Sequence, residues 1–239
     1  MTARRREFPQ SQWDGLASLY DKTILLHGHG RIGEAILFCR YVPQVAARGA
    51  RIVLDVPEPV RPVMKSLVGS PHVLSEGEEP SRFDLHCPLA SLPRAFGTKF
   101  DTIPTATPYL RPPTDALLNW EMRLGAKKRP RIGVTWADSP IDETGRSRSI
   151  GLGVLLPLFA IEATFLRLQR ELRPGDEAQL KSRNVFDPTE FLGDYSDLAA
   201  LVSRLDLVIS VDTDIAHLAG ALGKPVWLLL PFTLLALAA

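Results

Sequence analysis

Apolar residues along this chain gather in short, often β-branched runs that alternate with segments of helical spacing, divided by polar or glycine-rich turns. Thr23 to His27, Arg51 to Val56, Arg131 to Trp136, Thr164 to Gln169, Leu207 to Val211 and Val226 to Leu230 read as strands. Shorter strands are expected near His72 to Leu74 and Asp84 to Cys87. The runs at Leu207 and Val226 lack polar alternation, as strands buried on both faces do. Helical segments cover Glu34 to Ala47, Val60 to Leu67, Thr114 to Leu124, Leu152 to Phe159, Tyr195 to Arg204 and Asp214 to Leu222. Pro88 to Phe96 suits a helical turn. Strand, helix and strand in succession predict βαβ units with parallel pairing and right-handed crossovers. The fold class is therefore α/β.

The pattern lapses in two places. Residues 1–20 show no clear period and read as a lead-in. Pro104 to Pro113 holds four prolines and reads as an ordered crossing segment, followed by a helix and a basic joint from Gly125 to Arg129. The joint divides the chain into a first domain, 21–125, and a second, 129–239.

Polar residues concentrate in Leu205 to Pro231, where a strand hands over to a helix at Asp212 and Thr213. Both residue types are favoured N-caps. Gly223 suits the left-handed stop and Pro225 prevents continuation. A helix N-terminus exposes unpaired N–H groups and partial positive charge, which suits a diphosphate. Thr213 and His217 stand four residues apart and can face one ligand. Two readings fit these residues: a ligand site, or a plain cap with a histidine satisfied at a helix–sheet seam.

Composition narrows the classes. Basic and acidic residues number 28 and 27, leaving a net charge of +1 and no electrostatic case for nucleic acid or an anionic membrane. Cys39 and Cys87 lie in apolar stretches and read as buried thiols in a reducing cytosol. The basic start MTARRREFPQ lacks the apolar core of a secretory signal. The apolar run from Val226 to Ala239 contains a proline and is shorter than the ~20 residues that span a bilayer. No integral membrane segment is expected, and a cytoplasmic location follows.

Gly28-His29-Gly30-Arg31-Ile32-Gly33 spells G-x-G-x-x-G between a strand and a helix, with Asp55 at the end of the next strand. That arrangement is a dinucleotide-binding fingerprint, so an NAD-dependent oxidoreductase is one alternative. The glycines are equally suited to a tight strand–helix turn with no cofactor.

Several motifs in order resemble family 9 glycosyltransferases, the heptosyltransferase-like group, in the form attached to tetratricopeptide repeats in bacteria. They are RREFPQSQWDG (Arg5 to Gly15), KTILLHGHGRIGEAILFCRYVP (Lys22 to Pro43), FDLHCPLASLPRAFGT (Phe83 to Thr98) and RPRIGVTWADSP (Arg129 to Pro140). RSRSI (Arg146 to Ile150), LQRELRPGD (Leu168 to Asp176) and the Leu205 to Pro231 segment complete the set. The resemblance implies a GT-B-like fold of two Rossmann-like domains facing a cleft, acceptor side first and nucleotide-sugar side second. The relatives continue past both ends, so the C-terminal part of that fold is expected to be incomplete.

The implied activity is transfer of a sugar from a nucleotide-diphosphate donor to a hydroxyl acceptor, inverting and metal-independent. The donor is a substrate and no cofactor is implied. The acceptor is a glycan, lipopolysaccharide or protein. A non-catalytic remnant that binds nucleotide-sugar or a protein partner is the other alternative. The resemblance aligns Glu34 with the family's catalytic aspartate, after a turn that includes Gly30 and Gly33. It aligns Arg148, Asp212, Thr213 and His217 with the donor site; Ser149 follows Arg148, and Gln169 and Arg170 end the Thr164 strand, where the nucleotide would sit. Arg146 is left undecided. Each has a bland counterpart: an acid in a first helical turn, a solvated basic loop, an exposed strand end. Asp212-Thr213-Asp214 has the literal spacing of a metal motif but sits in a helix start, so no metal ligand is assigned. Asp214 departs from the family's small residue and would repel a diphosphate unless its carboxylate points away.

Overall fold

The computed structural model describes residues 8–28, 32–75, 78–80, 82–137, 148–181 and 183–230. The chain forms two compact units, Met1–Arg111 and Pro112–Ala239.

The first unit is built on four parallel strands, β1 (Thr23–His27), β2 (Arg51–Asp55), β3 (His72–Val73) and β4 (Leu85–Pro88), in the order β3-β2-β1-β4. Ile24, Leu25 and Leu26 are fully buried, as expected for a central strand. The helix expected over 34–47 is broken into α1 (Ile32–Phe38), a 3-10 turn and α2 (Val42–Ala46). Pro43 sits in the first turn of α2 and supplies no N–H, so the hydrogen-bond ladder restarts there. The lead-in, from Phe8 on, belongs to this unit. Trp13 is buried, its N–H donates to the His86 carbonyl at 2.8 Å, and Gln12 bridges to His86 beside β4. Helices α3 (Arg61–Met64) and α4 (Leu92–Ala95) are single turns.

The second unit opens with α5 (Thr114–Leu124), which packs against α8 (Tyr195–Ser203). The expected joint at 125–129 thus follows a helix that counts with the second unit. Its sheet has five parallel strands: β5 (Arg131–Thr135), β6 (Thr164–Arg167), β7 (Val185–Phe186), β8 (Leu207–Val211) and β9 (Val226–Leu229). Their order is β7-β6-β5-β8-β9. The other helices are α6 (Leu152–Leu155), α7 (Asp176–Leu180) and α9 (Asp214–Ala221). Val134, Trp136, Phe165 and Ile209 form a core with Leu152 and Leu155 of α6. On the opposite face Gly133 is required by close approach: a Cβ there would lie 2.5 Å from Leu168 and 2.6 Å from Leu205.

One strand differs from its sequence reading. β9 is expected to be buried on both faces, yet Trp227 is 60% and Leu228 46% exposed. Among the described residues β9 pairs only with β8, so it stands at the sheet edge. Gly223 does adopt the left-handed stop, with φ 71°.

Candidate functional site

In the second sheet the chain winds outward from β5 through β6 to β7, then returns to β8 on the other side of β5. Side-by-side strands whose connections leave in opposite directions open a crevice at their carboxyl ends, where open α/β sheets bind ligands. Here that edge comprises Thr135 to Ala137 after β5 and Val211 to Thr213 after β8.

Several of the expected donor residues meet at this edge. The Ile150 N–H donates to the Trp136 carbonyl at 2.9 Å and pins the 148–150 segment beside β5. Arg148 Nη1 thereby reaches Asp212 Oδ2 at 3.1 Å, with the arginine side chain only 19% exposed. His217 Nε2 approaches the other oxygen, Asp212 Oδ1, at 3.7 Å from the first turn of α9. Asp212 therefore bridges the two basic groups and does not cap the helix. Thr213 is the N-cap by backbone position, but its side chain makes no cap bond. Its hydroxyl lies 3.0 Å from Ser210 Oγ, while Ser210 donates to the Val211 carbonyl at 2.7 Å. The cap expected of Asp212 and Thr213 is thus replaced by an ion pair and a hydroxyl pair. Ser149 is partly buried beside Arg148. Asp214 Oδ1 accepts from the Ile215 N–H at 3.0 Å, and Oδ2 accepts from the Tyr195 hydroxyl.

Gln169 and Arg170 are occupied differently. Gln169 Oε1 accepts from the N–H groups of Trp136 (3.2 Å) and Ala137 (2.9 Å), and Nε2 donates to the Glu171 carbonyl at 2.6 Å. Gln169 therefore braces the turn after β5 from inside. Arg170 Nη2 donates to the carbonyls of Leu192 (2.9 Å) and Gly193 (3.2 Å). Beside them, Arg167 is buried and donates to the Gln169 carbonyl at 2.6 Å, to Thr189 Oγ1 at 2.8 Å and to Asp187. Burial would raise the Asp187 carboxyl, but hydrogen bonds from Arg167 and Thr189 outweigh it and hold it below the ordinary carboxylate value.

Sequence patterning did not single out four residues at this edge. Thr135 is 1% exposed and Thr135 Oγ1 has no hydrogen-bond partner. Ser210 lies across from it in register. Tyr195 donates to Asp214, and Trp136 donates Nε1–H to Asp176 Oδ2 at 2.8 Å. A threonine ending one strand opposite a serine near the end of another is a signal only once the pairing register is known.

In the first unit Glu34 is exposed in the first turn of α1, next to the buried Gly33. Gly30 and Arg146 lie outside the described residues. Asp55, the acid of the dinucleotide alternative, is 3% exposed, and its carbonyl accepts the Gly28 N–H at 2.9 Å. His27 Nε2 lies 3.1 Å from His86 Nδ1, and the Phe8 ring covers both imidazoles. Burial pushes the Cys87 thiol up to about 12 and the Cys39 thiol up as well, so both are unreactive core groups. Among the described residues no group of three His, Cys, Asp or Glu is placed to hold a metal ion. No described helix is long and apolar enough to cross a membrane.

Residues 177–229 match the model of glycosyltransferase family 9 (heptosyltransferase). The stretch contains Asp212, Thr213 and His217. No curated protein sequence matches the chain. Among solved structures, a family 9 glycosyl transferase from Veillonella parvula DSM 2008 is similar at TM-score 0.61 and 11% identity, over 89% of this chain and 81% of that one. ADP-heptose LPS heptosyltransferase II from E. coli is similar at TM-score 0.62 and 14% identity, over 87% of this chain and 84% of its own. E. coli heptosyltransferase WaaC, solved with ADP, is similar at TM-score 0.56 and 13% identity, over 86% of each chain. Residues 177–229 of the second unit are thus similar to family 9 glycosyltransferases (heptosyltransferase), and the chain has a parallel-sheet α/β fold that matches GT-B-like heptosyltransferase structures.

Proposed function

We propose that this chain is a glycosyltransferase that binds a nucleotide-diphosphate sugar at the β5–β8 edge of its second unit and transfers the sugar to a hydroxyl acceptor. One observation carries the reading. Arg148 arrives from a distant loop at the N-terminus of α9, beside Asp212 and His217, within the half-buried edge that an open sheet offers to ligands. A guanidinium fork and a helix N-terminus are two devices that suit a diphosphate.

The chemistry follows from those parts. The acceptor oxygen forms a bond to the anomeric carbon as the bond from that carbon to the diphosphate oxygen breaks. Glu34, in the acceptor-side unit, takes the hydroxyl proton, and the departing diphosphate gathers negative charge that Arg148 and the α9 dipole stabilise. Attack opposite the leaving group inverts the anomeric centre, and Arg148 with the dipole serves in place of a metal. Thr213, His217 and Ser149 contact the donor, and Gln169 with Arg170 fix the turn that shapes its seat. Gly33 stands directly before Glu34 in the first turn of α1. The two buried free thiols suit a cytoplasmic enzyme.

The test is release of nucleoside diphosphate from UDP-, GDP- and ADP-sugars, each with glycan, lipopolysaccharide and protein acceptors. Turnover with one donor and a mass gain on one acceptor is expected. Tight donor binding without release under every pairing would leave a binding protein in place of an enzyme.

A further inference from the structure

The first sheet repeats the winding of the second. Its chain runs outward from β1 through β2 to β3 and returns to β4 on the other side of β1. Its carboxyl edge is therefore a second place of the kind where open α/β sheets bind ligands. His27 and Asp55 end β1 and β2 side by side, in register. Past the end of β1 stands α1, with Glu34 in its first turn. Past the end of β2 a 3-10 turn (Glu58–Val60) leads into α3, which begins at Arg61.

Arg61 is built into this edge. Its Nε–H donates to the Val56 carbonyl, one residue beyond β2, at 3.1 Å. Nη1 is buried and has no hydrogen-bond partner. Among the described residues Arg61 makes no ion pair, and the exposed Glu58, three residues before it, makes none either. A buried cationic N–H without a partner is more costly than a neutral one, so the place calls for an oxygen that accepts. Bonded at Nε, the guanidinium leaves its two terminal nitrogens as a fork for one oxyanion. Two more cations stand close by in the chain path. Lys65, exposed, follows Arg61 by one helical turn. The Arg111 N–H donates to Ser66 Oγ at 2.9 Å, which sets the exposed Arg111 at the end of α3.

We propose that Arg61 anchors an oxyanion subsite on the edge from which Glu34 also springs, and that the sugar acceptor is a hydroxyl compound carrying a carboxylate or a phosphate. The proposal rests on the reading of the first unit as the acceptor side. The oxyanion takes no part in bond making. Held by the Arg61 fork, it decides which hydroxyl of the acceptor is offered to Glu34.

The test uses glucose 6-phosphate and glucuronate, with glucose as their neutral match. Each is titrated into the 15N-labelled full chain while the Arg61 Nε–H resonance is followed. One anionic sugar is expected to shift it saturably and glucose to leave it in place; the arm that responds tells phosphate from carboxylate. Arg61→Gln is expected to bind that sugar at least about tenfold more weakly, the effect of losing a charge-assisted hydrogen bond, with affinity for UDP, GDP and ADP unchanged. No shift with either anionic sugar overturns the proposal, as does an equal response to glucose. Parent-like binding of the sugar by Arg61→Gln overturns it too, and so does a matching loss of nucleotide affinity, which would make the effect structural. The resonance of the parent decides the matter even where Arg61→Gln fails to fold. Equal turnover by Glu34→Gln would remove the acceptor-side reading separately, because the Arg61 resonance reports oxyanion binding without any turnover.

Discussion

Gln169 is the residue at which resemblance and geometry assign different work, so replacing it is informative. Gln169→Leu keeps the side-chain volume and removes the amide. Two N–H groups, of Trp136 and Ala137, then lose their acceptor in a buried turn. Each buried donor without a partner costs about 1–3 kcal/mol. The gain from a leucine at a position only 6% exposed offsets part of this, by roughly 1 kcal/mol. A net loss of about 3 kcal/mol is expected, or roughly a 10 °C drop in Tm for a unit of this size. Denaturant unfolding followed by tryptophan fluorescence, to which the buried Trp136 contributes with Trp13 and Trp120, reads the loss of stability. The Ile150–Trp136 hydrogen bond that places Arg148 springs from the same turn, so nucleotide affinity falls along with stability. A variant that loses nucleotide binding while its stability changes by less than about 1 kcal/mol would refute the bracing role and make Gln169 a direct donor contact.

Two further outcomes are expected. Glu34→Gln should cut sugar transfer by roughly 100-fold or more, the lower range for loss of a general base, while nucleotide affinity stays unchanged; equal turnover by the variant would remove Glu34 from the mechanism. Asp206 accepts from Lys127 Nζ at 2.6 Å and from the Arg131 N–H at 2.8 Å, and these bonds hold its carboxyl below the ordinary value. A group lowered on folding stabilises fully above its unfolded pKa of about 4 and loses that contribution as pH falls through the folded value. Stability measured from pH 7 down to pH 2 should therefore decline less steeply below about pH 4 in Asp206→Asn than in the parent; identical acid limbs would show that Asp206 contributes nothing.

Elements whose ends are set by local chemistry were readable in the sequence. α5 begins after Pro113 and ends at Gly125, which has φ 59°, so its limits follow from a residue that suits a helix start and one that ends it. Asp194, a favoured N-cap type, stands just before α8 and caps it, accepting from the N–H groups of Ser196 and Asp197. Elements that depend on neighbours were less legible. The apolarity of Val226 to Leu230 suggested a covered strand, but composition cannot say that β9 takes the sheet edge. The two-residue β7 and the five-residue α7 are too short to carry a period.

The site divides in the same way. Asp212, Thr213 and His217 are sequence neighbours, so their clustering at a helix start could be read directly. Arg148 is 64 residues from Asp212, and only resemblance connected the two before the fold brought them within 3.1 Å. Residue type did not disclose side-chain direction. Gln169 turns inward to the backbone, Arg170 to the Leu192 and Gly193 carbonyls, and Tyr195 toward Asp214. The concern that Asp214 repels a diphosphate was visible in the sequence, whereas its contact with Tyr195, 19 residues away, was not.

The central claim is that a nucleoside diphosphate is held where β5 and β8 end, with Arg148 as its principal cation. Calorimetric titration of UDP, GDP and ADP into the parent and into Arg148→Ala tests it most directly. One nucleotide should bind the parent saturably at one site. Truncating a half-buried cation that pairs with phosphate costs about 2 kcal/mol or more, so Arg148→Ala should bind roughly 30-fold more weakly. Equal affinities in parent and variant, or no binding of any nucleotide to the parent, would contradict it.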